Sequence, residues 1–218
     1  MLNKTSPRPL AFSPCLVDLS LVDYEATYVL QKKNVEEVIA GRPERVLLCE
    51  HPAVLTLGRM ADESFILISK EELALRGIKV LAIDRGGEVT LHAPGQLVVY
   101  PILDLTRRGK DLRAYIRRLE EAAIEFLRSF EITAGRVPGK TGVWVGSQKI
   151  VSIGVGVKKW VTFHGMAINM NMDLSLFSLI KPCGLDVAMT SMARIKGRAI
   201  NSQIAKQRFA EVFLRYFP

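Results

Sequence analysis

One seventeen-residue stretch, from Arg85 to Pro101, restricts the possible fold more than any other part of the chain. It reads RGGEVTLHAPGQLVVYP, with a glycine pair and a Pro-Gly pair placed just before an apolar strand. Glycines this dense occur where the backbone turns sharply or where a ligand approaches the main chain closely. Two polar side chains, Thr90 and His92, lie between the turns. The stretch therefore predicts a site-bordering turn that leads into a strand.

Helical patterns alternate with groups of short strands along the rest of the chain. Apolar residues at three-to-four spacing predict helices from Asp23, from the capping box at Ser69, over Asp111–Phe130 and from Asn201. Strand patterns cover 45–50, 54–57, 79–83, 97–103, 143–145, 148–157 and 160–170. The order predicts a mixed α/β or α+β fold. Strands 45–50 and 54–57 are expected to pair around His51-Pro52, and Pro101 indicates an edge strand or a strand end.

Length and composition favour one domain. The chain has 218 residues, of which 49% are apolar, so there is ample material for a core. We expect residues 1–15 to form a short flexible tail and residues 16–218 a single catalytic domain. No apolar run approaches the ~18 residues that a membrane span needs, and the first residues lack the apolar segment of a secretory signal.

The net charge indicates which classes of partner to expect, and the cysteine spacing indicates the cellular compartment. The net charge is +8, which favours an acidic protein, nucleic acid or anionic lipid without choosing among them. The three cysteines and three histidines are widely spaced and form no CxxC or HExxH pattern. Such usage predicts reduced thiols in the cytoplasm and no metal site.

Two residues have the chemistry of a covalent catalyst. Cys183 lies in KPCGL, on a turn rather than inside an element, whereas Cys49 lies within an apolar strand pattern. A free thiol is more often a packed apolar group than a nucleophile, and that reading suits Cys49 better. Lys149 begins an apolar strand, where it is either a surface cation or an inward-facing functional group.

A basic run and two histidines each allow two interpretations, and an apparent phosphate loop does not match its motif. The basic run from Arg107 to Arg118 is either a solvated helix face or a docking surface for an acidic protein. His92 and His164 each lie at a glycine-containing turn. Each is either a hydrogen-bonded structural histidine or a residue of the functional site. The segment from Gly135 to Thr141 has three residues between its glycines, whereas a phosphate loop needs four, so it is rejected as a nucleotide site.

Taken in order, four motifs resemble the octanoyltransferases of lipoate biosynthesis. They are RGGEVTLHAPGQLVVYPIL, GVWV followed by KIVSIGV, FHGMAINM and KPCGL, and LLCEHPAVLTLGR precedes them. The resemblance covers about Asp23 to Ser191, and the combination is far more specific than any single motif. It implies the fold of the biotin and lipoate A/B protein ligases, a mixed β-sheet flanked by helices with a smaller second sheet.

The resemblance also implies an activity and its partners. Such an enzyme moves an octanoyl group from octanoyl-acyl carrier protein to a lysine of a lipoyl domain. The acceptors would be lipoyl domains of 2-oxoacid dehydrogenase complexes and the glycine cleavage H protein. No cofactor, nucleic acid or membrane is implied, and a monomer is expected.

Site residues follow from the resemblance, position by position. Cys183 matches the acyl-thioester nucleophile and Lys149 the lysine that favours its thiolate form. The remaining matches are substrate contacts in three segments: Arg85, Gly86, Gly87, Glu88, Val89, Thr90, Leu91 and His92; Ser152, Ile153 and Gly154; and Gly165, Met166 and Ala167.

Three alternatives remain at this point. An ATP-dependent lipoate or biotin ligase shares the fold but activates the acyl group as an adenylate and needs no cysteine nucleophile. A basic nucleic-acid-binding module would explain the charge but neither the glycine-rich loops nor Cys183. A transferase that moves the acyl group only between lipoyl domains would carry the same motifs.

Overall fold

A computed structural model describes residues 13–181 and 187–218 of the chain. Its strands are β1 (Cys15–Leu21), β2 (Arg45–Glu50), β3 (Val54–Leu57), β4 (Lys79–Ala82), β5 (Val89–His92), β6 (Gln96–Ile102), β7 (Gly135–Val137), β8 (Lys140–Val145), β9 (Gln148–Lys158) and β10 (Val161–Asn169). Its α-helices are α1 (Tyr24–Ile39), α2 (Lys70–Leu75), α3 (Leu112–Arg128), α4 (Met192–Lys196) and α5 (Ser202–Tyr216).

The strands form one large and one small sheet. The large sheet has seven strands in the order β1-β2-β6-β10-β9-β8-β7, and the small sheet has the order β4-β3-β5. Both are mixed, because β1 pairs parallel to β2 and β3 pairs parallel to β4, whereas the other pairs are antiparallel. The predicted mixed α/β architecture with a smaller second sheet is confirmed.

Helices cover both faces of the large sheet. Val46 and Leu48 of β2 face a core that includes α3 and α5, whereas Leu47 and Cys49 face a core that includes α1. This alternation is the two-residue period of a strand, and it requires apolar residues at consecutive positions when both faces are buried. Cys49 is fully buried, in agreement with its interpretation as a packing residue.

The expected pairing of β2 with β3 is wrong, because the two strands belong to different sheets. The connecting His51 is fully buried rather than exposed at a hairpin tip. Its Nδ1 lies 2.7 Å from the Val22 carbonyl oxygen, and its Nε2 lies 2.8 Å from the Tyr100 hydroxyl. The chain therefore crosses from one sheet to the other at this histidine.

Of the two alternatives for Pro101, the edge strand is wrong, since β6 lies between β2 and β10, whereas the strand end is confirmed, because Pro101 is the last residue but one of β6. Opposite the proline, β10 is kinked: His164 has a φ of 53°, and a Cβ on Gly165 would lie 2.6 Å from the proline Cδ. Beyond the kink, the Thr162 N–H donates to the Leu103 oxygen at 2.9 Å. The kink accommodates the ring, so a residue without an N–H is tolerated inside the sheet.

Local signals in the sequence mostly hold. Ser69 accepts a hydrogen bond from the Glu72 N–H at 3.1 Å at the start of α2, and Asn201 caps α5 in the same way. Strand β7 and helix α4 were not anticipated, and β1 begins at Cys15, the last residue of the predicted tail. Among the described residues, no helix is both long and apolar enough to cross a membrane.

Candidate active site

The glycine-rich loop before β5 is shaped by the buried guanidinium of Arg85. Its Nη2 donates to the carbonyl oxygens of Thr56 and Glu88, each at 2.7 Å, and its Nη1 donates to the Gly86 oxygen at 3.0 Å. The Gly86 N–H donates to the Val155 oxygen of β9 at 2.9 Å. Arg85 thus holds the loop between the small sheet and the large sheet.

Two glycines allow the loop to approach its neighbours this closely. A Cβ on Gly58 would lie 2.2 Å from the Gly87 oxygen, and a Cβ on Gly154 would lie 2.9 Å from the Gly86 oxygen. Both distances are too short for a side chain. Glycines on the segments that face the loop, together with Gly95 within the stretch, therefore allow backbone-to-backbone packing around a cleft.

A first cleft of about 580 Å³ opens between the loop and the large sheet. Most of the residues predicted from the sequence line it: Arg85, Gly87, Glu88, Val89, Thr90, His92, Lys149, Ser152, Ile153, Gly154, Gly165, Met166 and Ala167. Gly86 lines a neighbouring cleft instead. Leu91 lines neither, because it is fully buried in the core of the small sheet. The prediction for Cys183 falls outside the described residues.

An aromatic cluster that lines this cleft contains the predicted site residue His92 and two tyrosines, Tyr24 and Tyr100, that the sequence does not mark as site residues. Tyr24 stacks on His92 with ring centroids 5.6 Å apart, and Tyr100 meets His164 edge to face at 6.4 Å. The tyrosines were assigned to a helix face and to an apolar strand. The only available signal was a polar tip within each apolar pattern.

His164 closes the cluster and is held by a carboxylate. Its Nε2 lies 3.2 Å from Asp84 Oδ1, and Asp84 also accepts from the Tyr28 hydroxyl at 2.6 Å and from the Lys32 ammonium. Burial lowers the pKa of His164 to about 4 in spite of the neighbouring Asp84. Although burial would raise the pKa of Asp84, its hydrogen bonds from Lys32, Tyr28 and His164 lower that pKa to about 2. The imidazole is therefore neutral near pH 7.

Lys149 is buried, although it begins a strand. Only 5% of its surface is exposed, and its Nζ lies 5.5 Å from the centroid of the Trp144 ring. The backbone opposite is Gly142, where a Cβ would lie 2.7 Å from Lys149 Cε. A long cation in such a place has a function or a specific partner more often than not.

The backbone of Lys149 also holds the segment that follows the KPCGL motif. Its N–H donates to the Ala188 oxygen at 2.9 Å, and its oxygen accepts from the Thr190 N–H at 2.9 Å. On the other side of the motif, the Lys181 N–H donates to the Phe65 oxygen at 2.8 Å. The residues that follow 186 are thus anchored beside Lys149, and Lys181 is anchored to Phe65.

A second, larger cleft of about 1130 Å³ adjoins the first. It lies between the glycine-rich loop, the start of α3 and the turn before β8, with Leu112, Ile116 and Trp144 among its apolar walls. Five residues line both clefts: Gly87, Glu88, Lys149, Ile153 and Gly154. Lys149 therefore lies where the two clefts meet.

The class of protein follows from this fold and from comparison with known families. A family model described as the lipoyl protein ligase A/B catalytic domain matches residues 23–214. Solved structures with the same fold include a lipoate protein ligase from T. acidophilum, with a TM-score of 0.72 at 15% identity, covering 94% of this chain and 85% of that one. Biotin protein ligase from Aquifex aeolicus in complex with biotin and ATP has a TM-score of 0.60 at 15% identity, covering 93% and 70%.

Closer relatives specify the branch. The octanoyltransferase of Solibacter usitatus is 44% identical over 93% of this chain and 92% of its own length. The octanoyltransferase of Geobacter sulfurreducens is 44% identical over 91% and 82%. The chain belongs to the octanoyltransferase family, and the expected class of enzyme, an acyltransferase, is confirmed.

Proposed function

We propose that the chain transfers an octanoyl group from octanoyl-acyl carrier protein to a lysine of a lipoyl domain, with Cys183 holding the acyl group as a thioester in between. The acceptors would include lipoyl domains of 2-oxoacid dehydrogenase complexes and the glycine cleavage H protein. Residues 16–218 would act as one catalytic domain. The observation that carries the proposal is the buried Lys149 at the junction of two clefts.

The position of Lys149 supports a partnership with Cys183. Ala188, which hydrogen-bonds to the Lys149 backbone, is five residues beyond Cys183. Five residues span at most about 18 Å, so chain connectivity keeps the thiol in the neighbourhood of the lysine. A cation close to a thiol favours the thiolate, which is the nucleophilic form.

The reaction would proceed in two balanced steps. In the first, the Cys183 thiolate attacks the thioester carbonyl, the bond to the carrier's sulfur breaks, and the Lys149 ammonium gives its proton to the departing carrier thiolate. In the second, the acceptor lysine amine attacks the acyl-cysteine, Lys149 accepts a proton from that amine, and the Cys183 thiolate departs. The Gly86 N–H is already bonded to Val155, so among the described residues of the loop Gly87 is the candidate oxyanion donor.

An isotope pulse tests the proposal. The enzyme is mixed with labelled octanoyl-acyl carrier protein without ATP and quenched in acid. We expect a covalent adduct that hydroxylamine releases and that is absent from Cys183→Ser. A lack of adduct, or an adduct that persists in Cys183→Ser, overturns the proposal. If acylation of a lipoyl domain occurs only with free octanoate and ATP, the ligase alternative is correct.

A further inference from the structure

The mouth of the second cleft has a distinctive surface. Leu112 and Ile116 of α3 line the cleft, and each is followed along the helix by an exposed arginine, Arg113 and Arg117. On the facing side, Met60 is 69% exposed. Leu112 is itself 38% exposed, so apolar surface and cations lie side by side. A monomer that had no partner here would gain nothing from such exposure.

The cations at this mouth form no ion pair within the part of the chain that the structure describes. Arg59, Arg113, Arg117 and Lys140 take part in no ion pair with any residue of 13–181 or 187–218. Elsewhere in the same basic run, Arg108 forms an ion pair with the buried Glu44, with 2.6 Å between Arg108 Nη1 and Glu44 Oε1. The basic run recognised in the sequence is therefore divided into a structural part and an unused part. We define the cationic rim as the two α3 arginines without an ion pair, together with two further cations and two exposed apolar side chains near the same cleft: Arg59, Met60, Leu112, Arg113, Arg117 and Lys140.

Inside the cleft, Trp144 offers a donor that has no acceptor. The side chain is 4% exposed, and its Nε1–H makes no hydrogen bond with any described residue. The ammonium groups of Lys140 and Lys149 lie 5.3 and 5.5 Å from its ring centroid. A buried N–H without a partner costs about 1–3 kcal/mol, so a ligand that supplies a carbonyl oxygen there is favoured.

These features distinguish between the two substrates of an acyl transfer. The lysine of an acceptor protein has no hydrogen-bond acceptor when protonated, and the Lys140 ammonium beside the Trp144 ring repels it. The arm of a carrier protein is long and uncharged near its thioester, and it contains amide carbonyls. Its length also suits a cleft of about 1130 Å³ better than a single lysine side chain does.

We propose that the cationic rim docks the acidic carrier domain of the acyl donor, and that the second cleft receives the donor's pantetheine arm with an amide carbonyl bonded to the Trp144 N–H. The inference rests on the proposed octanoyl transfer. The carrier's acidic surface meets the arginines of α3, and its apolar contacts cover Met60 and Leu112. The acyl chain then extends past Lys149 into the first cleft. Glu88 is the one carboxylate among the described residues that line the second cleft, and it also lines the first cleft.

Three octanoyl thioesters separate the contributions of surface and cleft. Octanoyl-acyl carrier protein has the domain and the arm, octanoyl-pantetheine has the arm alone, and S-ethyl thiooctanoate has neither an arm nor an amide. The rate of adduct formation is measured with each donor. We expect the double variant Arg113→Glu, Arg117→Glu to lower kcat/KM at least tenfold with the carrier protein and less than twofold with the two small donors.

A second variant probes the cleft. Trp144→Phe keeps the ring and removes the N–H, and we expect a fall of about fivefold in kcat/KM with octanoyl-pantetheine relative to S-ethyl thiooctanoate. The ratio removes any effect that the substitution has on Lys149, because such an effect changes kcat/KM with both donors by the same factor. An unchanged ratio overturns the arm's contact with Trp144.

A control variant and the second half-reaction complete the test. Arg198→Glu makes the same charge change beyond the far end of α3, where Arg198 shares a surface hollow with Ser129 and Glu131, and it should leave all three rates unchanged. The α3 double variant should also leave the KM of the lipoyl-domain acceptor unchanged.

Two outcomes refute the docking inference: equal losses in the α3 and Arg198 variants, or a loss confined to the acceptor. If the wild-type protein forms no adduct with any of the three donors, it is the proposed function that fails.

Discussion

Gly142 provides the sharpest test of Lys149, because it changes the lysine's position without changing the lysine. Gly142 has a φ of 122°, which L-residues rarely adopt, and a Cβ there would lie 2.7 Å from Lys149 Cε and 2.5 Å from the Val151 oxygen. The backbone oxygen cannot retreat easily, since β8 and β9 are paired at this point. The substitution Gly142→Ala must therefore displace the lysine side chain, the local backbone or both.

The size of the effect follows from these distances. Ordinary contact begins near 3.4 Å, so the distance between the new Cβ and Lys149 Cε must grow by about 0.7 Å, and the flexible lysine side chain is the part that yields most easily. A displacement of about 1 Å at a catalytic group costs on the order of 100-fold in rate. The strained φ costs a further ~1–3 kcal/mol of stability. For a chain of this length that corresponds to a fall in Tm of roughly 2–12 °C.

The assay compares Gly142→Ala with Gly146→Ala. Gly146 also has a positive φ, 57°, but a Cβ there meets nothing within 4 Å. We expect the control to lose only ~1 kcal/mol of stability and to keep its rate. Rates of acyl-adduct formation are measured at a temperature where both variants are folded by circular dichroism. If Gly142→Ala keeps a rate within twofold of Gly146→Ala, the position of Lys149 does not limit the reaction.

Three further predictions concern the aromatic cluster, the loop and the kink. Burial lowers the pKa of His92 to about 3 and that of His164 to about 4, so the unfolded chain binds protons that the native state rejects as the pH falls below about 6.5. Each histidine should then reduce the free energy of unfolding by about 1.4 kcal/mol per pH unit between pH 6 and pH 4, as measured by urea titration. Arg85→Lys should lower kcat/KM at least tenfold and also lower Tm, because a single ammonium cannot bond the several oxygens that the guanidinium reaches. Gly165→Ala should cost about 2–5 kcal/mol, since its Cβ would lie 2.2 Å from the Val99 oxygen.

Each of these three predictions has a control. The slope of the free energy of unfolding against pH should flatten in His164→Asn. An unchanged slope in that variant contradicts the assignment of His164 as buried and neutral. For Arg85, the comparison is Arg76→Lys, a surface residue paired with Glu72, which should alter neither rate nor Tm. For Gly165, Gly146→Ala again supplies the strain-only reference, and equal stability losses in the two variants would show that the kink tolerates a side chain.

Local chemistry explains which parts of the fold could be predicted from the sequence. Caps at Ser69 and Asn201, the strand alternation of β2 and the periodicity of α3 depend on residues close in the chain, and these predictions hold. Partners distant in sequence are different. Pro101 carries no sign that Gly165, some sixty residues later, leaves room for its ring inside the sheet.

The site shows the same division. Glycine density marked the loop from Arg85 correctly, because close backbone approach leaves a compositional trace. Tyr24 and Tyr100 left no such trace, since each also satisfies the apolar pattern of its element. The sequence places Lys149 on a strand. Whether its side chain faces inward depends on Gly142 and on the segment at Ala188, and only the folded backbone brings these residues close to the lysine.

The contacts of Asp84 indicate which segments of this protein unfold together. It joins Tyr28 and Lys32 of α1, the loop at Arg85 and His164 of β10, three parts of the chain that are far apart in sequence. Segments connected in this way tend to unfold together as one cooperative unit. Amide hydrogens in the middle of α1 should then exchange with solvent more slowly when an acyl ligand occupies the first cleft, and protection of that helix would report occupancy.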